Sequence, residues 1–213
     1  MKFVLPIIAM LIAPVFSFAG VITFDLRAPI VETLDEVNSF DYTVNGVTAT
    51  LTALPQTYLD TDGVLRNLLL NRTNSGFGVD VEGVINSGGC VNEDSDAIDA
   101  GCVREAVLVE LDTNAILLSI AVSSFGAQDQ GTLAFENPAL TDISIVTTGT
   151  TLANELVGGP GNRFQVIQFF DVGDGFSFDS FTINTVPEPE TLALLAFGLA
   201  GIGYQMHRKL KGE

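Results

Sequence analysis

The sequence predicts an all-β protein, an antiparallel β-sandwich, and three observations carry that prediction. Short runs rich in Val, Ile, Leu, Thr and Phe recur along the chain, about ten of them, divided by clusters of Gly, Asn, Asp and Pro. Asn45-Gly46 lies between two such runs, and both central residues of a type I′ hairpin turn need positive φ, which Asn and Gly accept most readily. No apolar stretch before Leu192 repeats with a helical period over the length of a helix. Many short strands with frequent turns suit two sheets packed face to face. The 213 residues leave room for one domain with small appendages.

Met1–Ala19 reads as a secretory signal peptide. Lys2 precedes the apolar run Phe3–Phe16, and Ser17-Phe18-Ala19 supplies a small-residue cleavage site. Pro6 and Pro14 interrupt the run, which argues against a permanent anchor. The folded domain then occupies residues 20–185.

Within it, Val21–Leu26 is a first strand, and Arg27–Ser39 is acidic and mixed, expected as a loop with at most a turn of helix. Phe40–Val44 and Val47–Leu54 form the hairpin over Asn45-Gly46. Val47, Ala49, Leu51 and Ala53 alternate with Thr48, Thr50 and Thr52, so one face is apolar and the other polar. Pro55–Gly63 is expected as a loop, and Leu65–Leu70 and Phe77–Val81 as strands. Gly83–Gly101 is the longest irregular stretch. Ala106–Leu111 and Ala115–Phe125 are expected to pair as a second hairpin over Asp112-Thr113-Asn114. Thr132–Glu136, Ile143–Thr147, Phe164–Phe170 and Phe176–Ile183 complete the strands, and Gly158–Asn162 is a turn. Phe164, Phe169, Phe170, Phe176, Phe178 and Phe181 supply core bulk near the end.

Charge within residues 20–185 is one-sided. Five arginines (Arg27, Arg66, Arg72, Arg104 and Arg163) and no lysine oppose 23 acidic residues, a formal net charge of −18. Phosphate neutralisation needs Lys and Arg, so this balance excludes nucleic acid as a partner. It keeps an exported protein soluble and offers many oxygen ligands to Ca²⁺.

Cys90 and Cys102, with eleven residues between them, most simply form one disulfide in an exported chain. A loop of this size stabilises by about 2–3 kcal/mol in the chain-entropy picture. The only histidine is His207, so a transition-metal centre in the domain is not expected.

Three kinds of chemistry can be weighed on named residues. Asp94, Asp96 and Asp99 sit on one acidic loop beside the cysteines, and their oxygens suit calcium. The spacing lacks the Gly and the terminal Glu of an EF-hand loop, and a solvated acidic loop is the plainer reading. Tyr58, with Asp60 and Asp62, is the best sugar-contact candidate. Sugar platforms favour exposed aromatics, and the chain has no Trp. Catalysis is poorly supported, because the domain has neither His nor Lys. A glycoside hydrolase needs paired carboxylates. Glu105 and Glu110 are the nearest pair in the strands, and five residues apart they point to opposite faces.

The tail has three parts: the extended polar segment Val186-Pro187-Glu188-Pro189-Glu190, an apolar segment, and the basic end His207-Arg208-Lys209-Leu210-Lys211. Each proline fixes φ, lacks an N–H, and disfavours helix in the residue before it. Leu192–Met206 carries no charge and is apolar all round apart from Gln205. As a helix it covers roughly 22 Å, short of the ~30 Å of a bilayer core, and snorkelling by Arg208, Lys209 and Lys211 makes up part of the difference. Those basic residues place the C-terminus in the cytoplasm and the domain outside.

This ordered combination resembles the PEP-CTERM sorting signal of Gram-negative bacteria, with Val186, Pro187, Glu188 and Pro189 as the sorting motif, residues 191-206 as the membrane helix and residues 207-213 as the basic tail. His207 and the spaced Lys211 stand where the family has a tighter run of Arg. The resemblance implies export through the secretion machinery, transient anchoring in the inner membrane, and recognition and cleavage near the motif by an exosortase, a membrane transpeptidase. It implies a setting at the cell surface or in the exopolysaccharide matrix of a biofilm. The protein is then the processing enzyme's substrate and not itself an enzyme. Gly76–Phe125 also looks like cargo domains of such proteins, which implies a jelly-roll-like sandwich similar to carbohydrate-binding modules. The expected role is structural or binding, with a calcium-dependent carbohydrate-binding module or adhesin as the first alternative and a carboxylate glycosidase as the second.

Overall fold

The computed structural model describes residues 20–27, 34–55, 57–59, 65–72, 76–81, 97–98, 105–158, 163–168, 175–186, 197–199 and 201–202. The chain divides into two units, Val21–Thr185 and the two ends outside it. The strands are β1 (Val21–Asp25), β2 (Leu34–Val37), β3 (Ser39–Val44), β4 (Val47–Leu54), β5 (Thr57–Leu59), β6 (Leu65–Arg72) and β7 (Phe77–Val81). They continue as β8 (Ala106–Leu111), β9 (Ala115–Ser123), β10 (Gly131–Phe135), β11 (Ile143–Ile145), β12 (Gly149–Val157), β13 (Phe164–Gln168) and β14 (Ser177–Thr185).

They form two antiparallel sheets. The first runs β12-β9-β14-β7-β6-β2, with β1 also on β14 and β5 also on β6; the second runs β11-β10-β13-β8-β4-β3. The all-β, antiparallel expectation holds. From β7 onward the chain changes sheet at every step except the β10–β11 hairpin: β7, β9, β12 and β14 lie in the first, and β8, β10, β11 and β13 in the second.

One hydrophobic core joins the inner faces. Phe24, Phe178 and Phe181 come from the first sheet and Phe164 from the second, and all four are fully buried. Phe24 stacks on Phe181 at 4.5 Å between centroids, and Phe164 meets Phe181 edge-on at 5.6 Å. Phe176 is buried as expected, whereas Phe169 and Phe170 lie outside the described residues.

The Asn45-Gly46 hairpin is present. Asn45 and Gly46 have φ of 52° and 81°, and β3 pairs with β4 in register from Val44↔Val47 to Ser39↔Thr52. The period-2 pattern of β4 appears as strict alternation of buried and half-buried residues.

Four expectations are corrected. Arg27–Ser39 is not all loop, because β2 adds to β6 through Leu34↔Arg72 and Val37↔Leu70, with a bulge between. Pro55–Gly63 contains β5, which pairs with Leu65–Asn67. Both are short strands held by a partner rather than by their own pattern. Ala106–Leu111 and Ala115–Phe125 are not a hairpin: β8 pairs with β4 and β13 in the second sheet, while β9 pairs with β12 and β14 in the first. Asp112-Thr113-Asn114 therefore crosses between sheets. Gly158 closes against this crossing with φ 89°, and a Cβ there would lie 1.9 Å from the Thr113 carbonyl oxygen. Finally, β12 falls where no strand was expected. It turns Leu152 and Leu156 outward and Ala153 toward the core, the reverse of the usual polarity.

Candidate functional site

The sorting tail leaves the domain from the middle of a sheet. Strand β14 has β9 along one edge, from Ser177↔Ser123 to Thr185↔Ala115. Its other edge is shared by β1 and, at Phe178, by β7. Thr185 is the last strand residue and is buried; Val186 is half-buried and begins the sorting segment. No linker separates the core from the segment.

The same end of the same sheet holds the start of the domain. Val21 pairs with Asn184 and Phe24 with Phe181, so β1 lies antiparallel along β14. Thr23 and Thr182 join hydroxyls at 3.0 Å across the pair. The junction after the expected leader and the junction before the sorting segment are thus neighbours.

Arg72 fixes the far end of β1. It is buried, donates from Nε to the Leu26 carbonyl at 2.7 Å, and from Nη2 to the carbonyls of Arg27 at 3.0 Å and Asp25 at 3.4 Å. Its guanidinium lies 5.4 Å from the Tyr42 ring centroid and 5.6 Å from that of Phe40. Outside, Arg27 pairs with Asp25 at 2.9 Å, and its hydrogen bond holds the Asp25 carboxyl below the usual range. Burial pushes Asp179 up, against a 2.7 Å hydrogen bond from the Ser123 hydroxyl.

A second polar place lies at the β10–β11 end of the second sheet. A groove of about 490 Å³ is lined by Asp129, Gln130, Gly131, Thr132, Ser144, Ile145 and Val146. Asp129 is buried; its Oδ2 accepts the Gly126 N–H, and its Oδ1 lies 3.4 Å from Gln168 Nε2. Period-2 counting from Phe164 through Val166 points Gln168 inward, so its burial was legible in the sequence. Asp129, at the end of a loop, carried no such signal.

The residues singled out from sequence divide as follows. Val186 stands at the end of β14, while Pro187, Glu188, Pro189, Arg208, Lys209 and Lys211 lie outside the described residues. So do Cys90, Cys102, Asp94, Asp96, Asp99, Asp60 and Asp62. Tyr58 is in β5 opposite Arg66, with its side chain outside the described set. Residues 197–199 and 201–202 of the expected membrane helix are helical and expose Phe197, Leu199 and Ile202. Among the described residues no helix is long and apolar enough to cross a membrane, and no three of His, Cys, Asp and Glu gather as a metal centre. Glu105 is buried, whereas Glu110 is on the surface 3.7 Å from Arg163, which also binds Glu136 at 2.7 Å. The two glutamates do point to opposite faces.

A β-sandwich that releases a Pro-Glu-Pro segment directly from a central strand defines a class: a folded cargo domain with a C-terminal sorting signal. Residues 185–209 match the family described as the PEP-CTERM protein-sorting motif. The chain carries that motif, the mark of an exported protein processed by an exosortase and sorted to the cell envelope. No curated protein and no solved structure matches the chain.

Proposed function

We propose that the protein is a non-catalytic component of the cell surface or extracellular matrix, delivered by exosortase processing of its tail. The observation that carries this is the direct passage from buried Thr185 into the sorting segment at Val186. Withdrawing even a few residues of β14 would break its pairing with β9 and β1, so cleavage falls beyond Thr185 and leaves the sandwich whole. Export also agrees with an acidic domain free of lysine.

Two observations bear on the role of the domain, and the second disfavours the glycosidase reading. The strand order β7-β14-β9-β12 over β8-β13-β10-β11 is that of a jelly roll, an arrangement that closes two Greek keys into one sandwich. The carboxylate pair a glycosidase needs is split between the interior (Glu105) and a surface ion pair (Glu110).

The test is the intact mass of the protein from its native host, in cell-surface and medium fractions. The expected species lacks residues 1–19 and everything after about Pro189, and any added mass reports a new anchor. A mass retaining Leu192–Glu213 overturns the processing, and a C-terminus inside β14 overturns the placement of the cut.

A further inference from the structure

The outer face of the first sheet carries a patch that sorting does not use. Strands β12, β9, β14 and β1 lie side by side, and their registers set the outward side chains in rows across them. The row next to the exit of the sorting segment is Leu156, Ile116, Asn184 and Val21. The next row is Leu152, Ser119, Thr182 and Thr23. None of these positions is charged, whereas about two or three in eight would be on an ordinary surface. Leu152, Val21 and Leu156 are 76%, 64% and 49% exposed. Glu155, the one charge in β12, sits opposite inward-facing Leu117 and so has the other parity. Charge begins only past the second row, where Asp25 is paired with Arg27 at 2.9 Å.

We propose that this face is where a second copy of the chain docks, face to face across a two-fold axis. The domain around it is strongly acidic and has no lysine, so two copies repel one another wherever their charged surfaces meet. A two-fold contact lays the neutral face on itself and holds the acidic surfaces apart. Other occupants fit less well. A basic partner is drawn to the acidic surface outside the patch. An anionic bilayer repels the domain, and the two rows offer it no Lys, Arg, Trp or Tyr. A sugar platform uses aromatics, and the rows have none.

The edge of β12 is blunted. A bulge between Leu152 and Glu155, with Asn154 at φ 98°, breaks the even register that an added strand needs. The copy therefore meets the face and does not extend the sheet. Strands about 4.8 Å apart and rows about 7 Å apart give each copy roughly 300–400 Å² in plan. Stable dimers bury about 800 Å² on each side, so the contact is weak and reversible in solution, with Kd on the order of 0.1 mM. It grows stronger where copies are concentrated on one surface.

The experiment uses residues 20–186, which contain all fourteen strands and the core. Sedimentation equilibrium is run from about 10 μM to 1 mM, at about 20 and 300 mM NaCl, a range chosen to bracket that Kd and the screening of surface charge. The parent shifts from monomer to dimer with rising concentration, and salt tightens the dimer by screening the acidic surfaces. Leu152→Glu and Thr23→Glu each place a charge on the face at an exposed position, so both variants fold, and each weakens association at least about tenfold. Leu65→Glu, at an exposed leucine of β6 outside the patch, leaves it unchanged. A parent monomeric at 1 mM, or association that survives Leu152→Glu, overturns the proposal. Loss with Leu152→Glu but not Thr23→Glu assigns the contact to the β12 edge and overturns the face. A monomeric parent that floats with phosphatidylglycerol-containing vesicles, and no longer does so as Leu152→Glu, assigns the face to the bilayer instead.

Discussion

Arg72 offers the sharpest test of how the domain holds its first strand. Arg72→Met keeps most of the stem volume and removes the guanidinium. Three carbonyls lose a charged donor: Leu26, Arg27 and Asp25, at 2.7, 3.0 and 3.4 Å. Leu26 is fully buried and cannot turn to water, whereas Arg27 and Asp25 are exposed and can rehydrate. One fully lost charge-assisted bond costs about 1.5–3 kcal/mol, and stacking over Phe40 and Tyr42 adds about 1–2 kcal/mol for a desolvated cation. The expected loss is about 3–5 kcal/mol, a large part of the stability of an ordinary domain. Arg72→Lys keeps the charge and one donor direction but not the planar fork, and should lose roughly half as much. Urea unfolding of residues 20–186 measures both, and amide exchange at Ile22–Leu26 reports whether β1 is the part released. A loss under about 1 kcal/mol for Arg72→Met, or β1 protection unchanged, refutes the assignment of Arg72 as the clamp on β1.

Two further substitutions test the core and the charge pattern. Phe181→Ala removes the ring against which Phe24 stacks and Phe164 packs edge-on, and should cost about 3–5 kcal/mol in urea unfolding. Asp179 binds its proton more tightly when folded because burial disfavours its charge. Its folded pKa exceeds its unfolded one, so its contribution favours the fold at low pH and is lost as pH rises through the folded value. Asp179→Asn, which can still accept the Ser123 hydroxyl, should therefore raise stability at pH 7, with the gain vanishing below about pH 4. A variant less stable than the parent at pH 7 would show that the hydrogen bond outweighs desolvation.

Features written in a few adjacent residues were legible without the fold. Asn45-Gly46 dictates its own turn, because the φ values it needs belong to those two residues. The sorting motif is equally local, since a few adjacent residues at the end of β14 begin it and the match over residues 185–209 needs no tertiary contact. The apolar alternation of β4 and the burial of Phe164 and Phe181 follow from a period that each strand carries within itself.

The sequence by itself determined the class of the domain, its acidic and lysine-free character, and its address. Which sheet each strand joins was decided only in three dimensions. β8 and β9 look like a hairpin because three turn-forming residues separate them, yet alternation says which face of a strand is apolar and nothing about its neighbour. Packing the apolar faces of both against one core sends them to opposite sheets. The same holds for β12, whose leucines face outward and whose place comes from its pairing with β9. It holds again for the meeting of Asp129, Gln168 and Glu105, brought together by strand register across gaps that no local pattern spans.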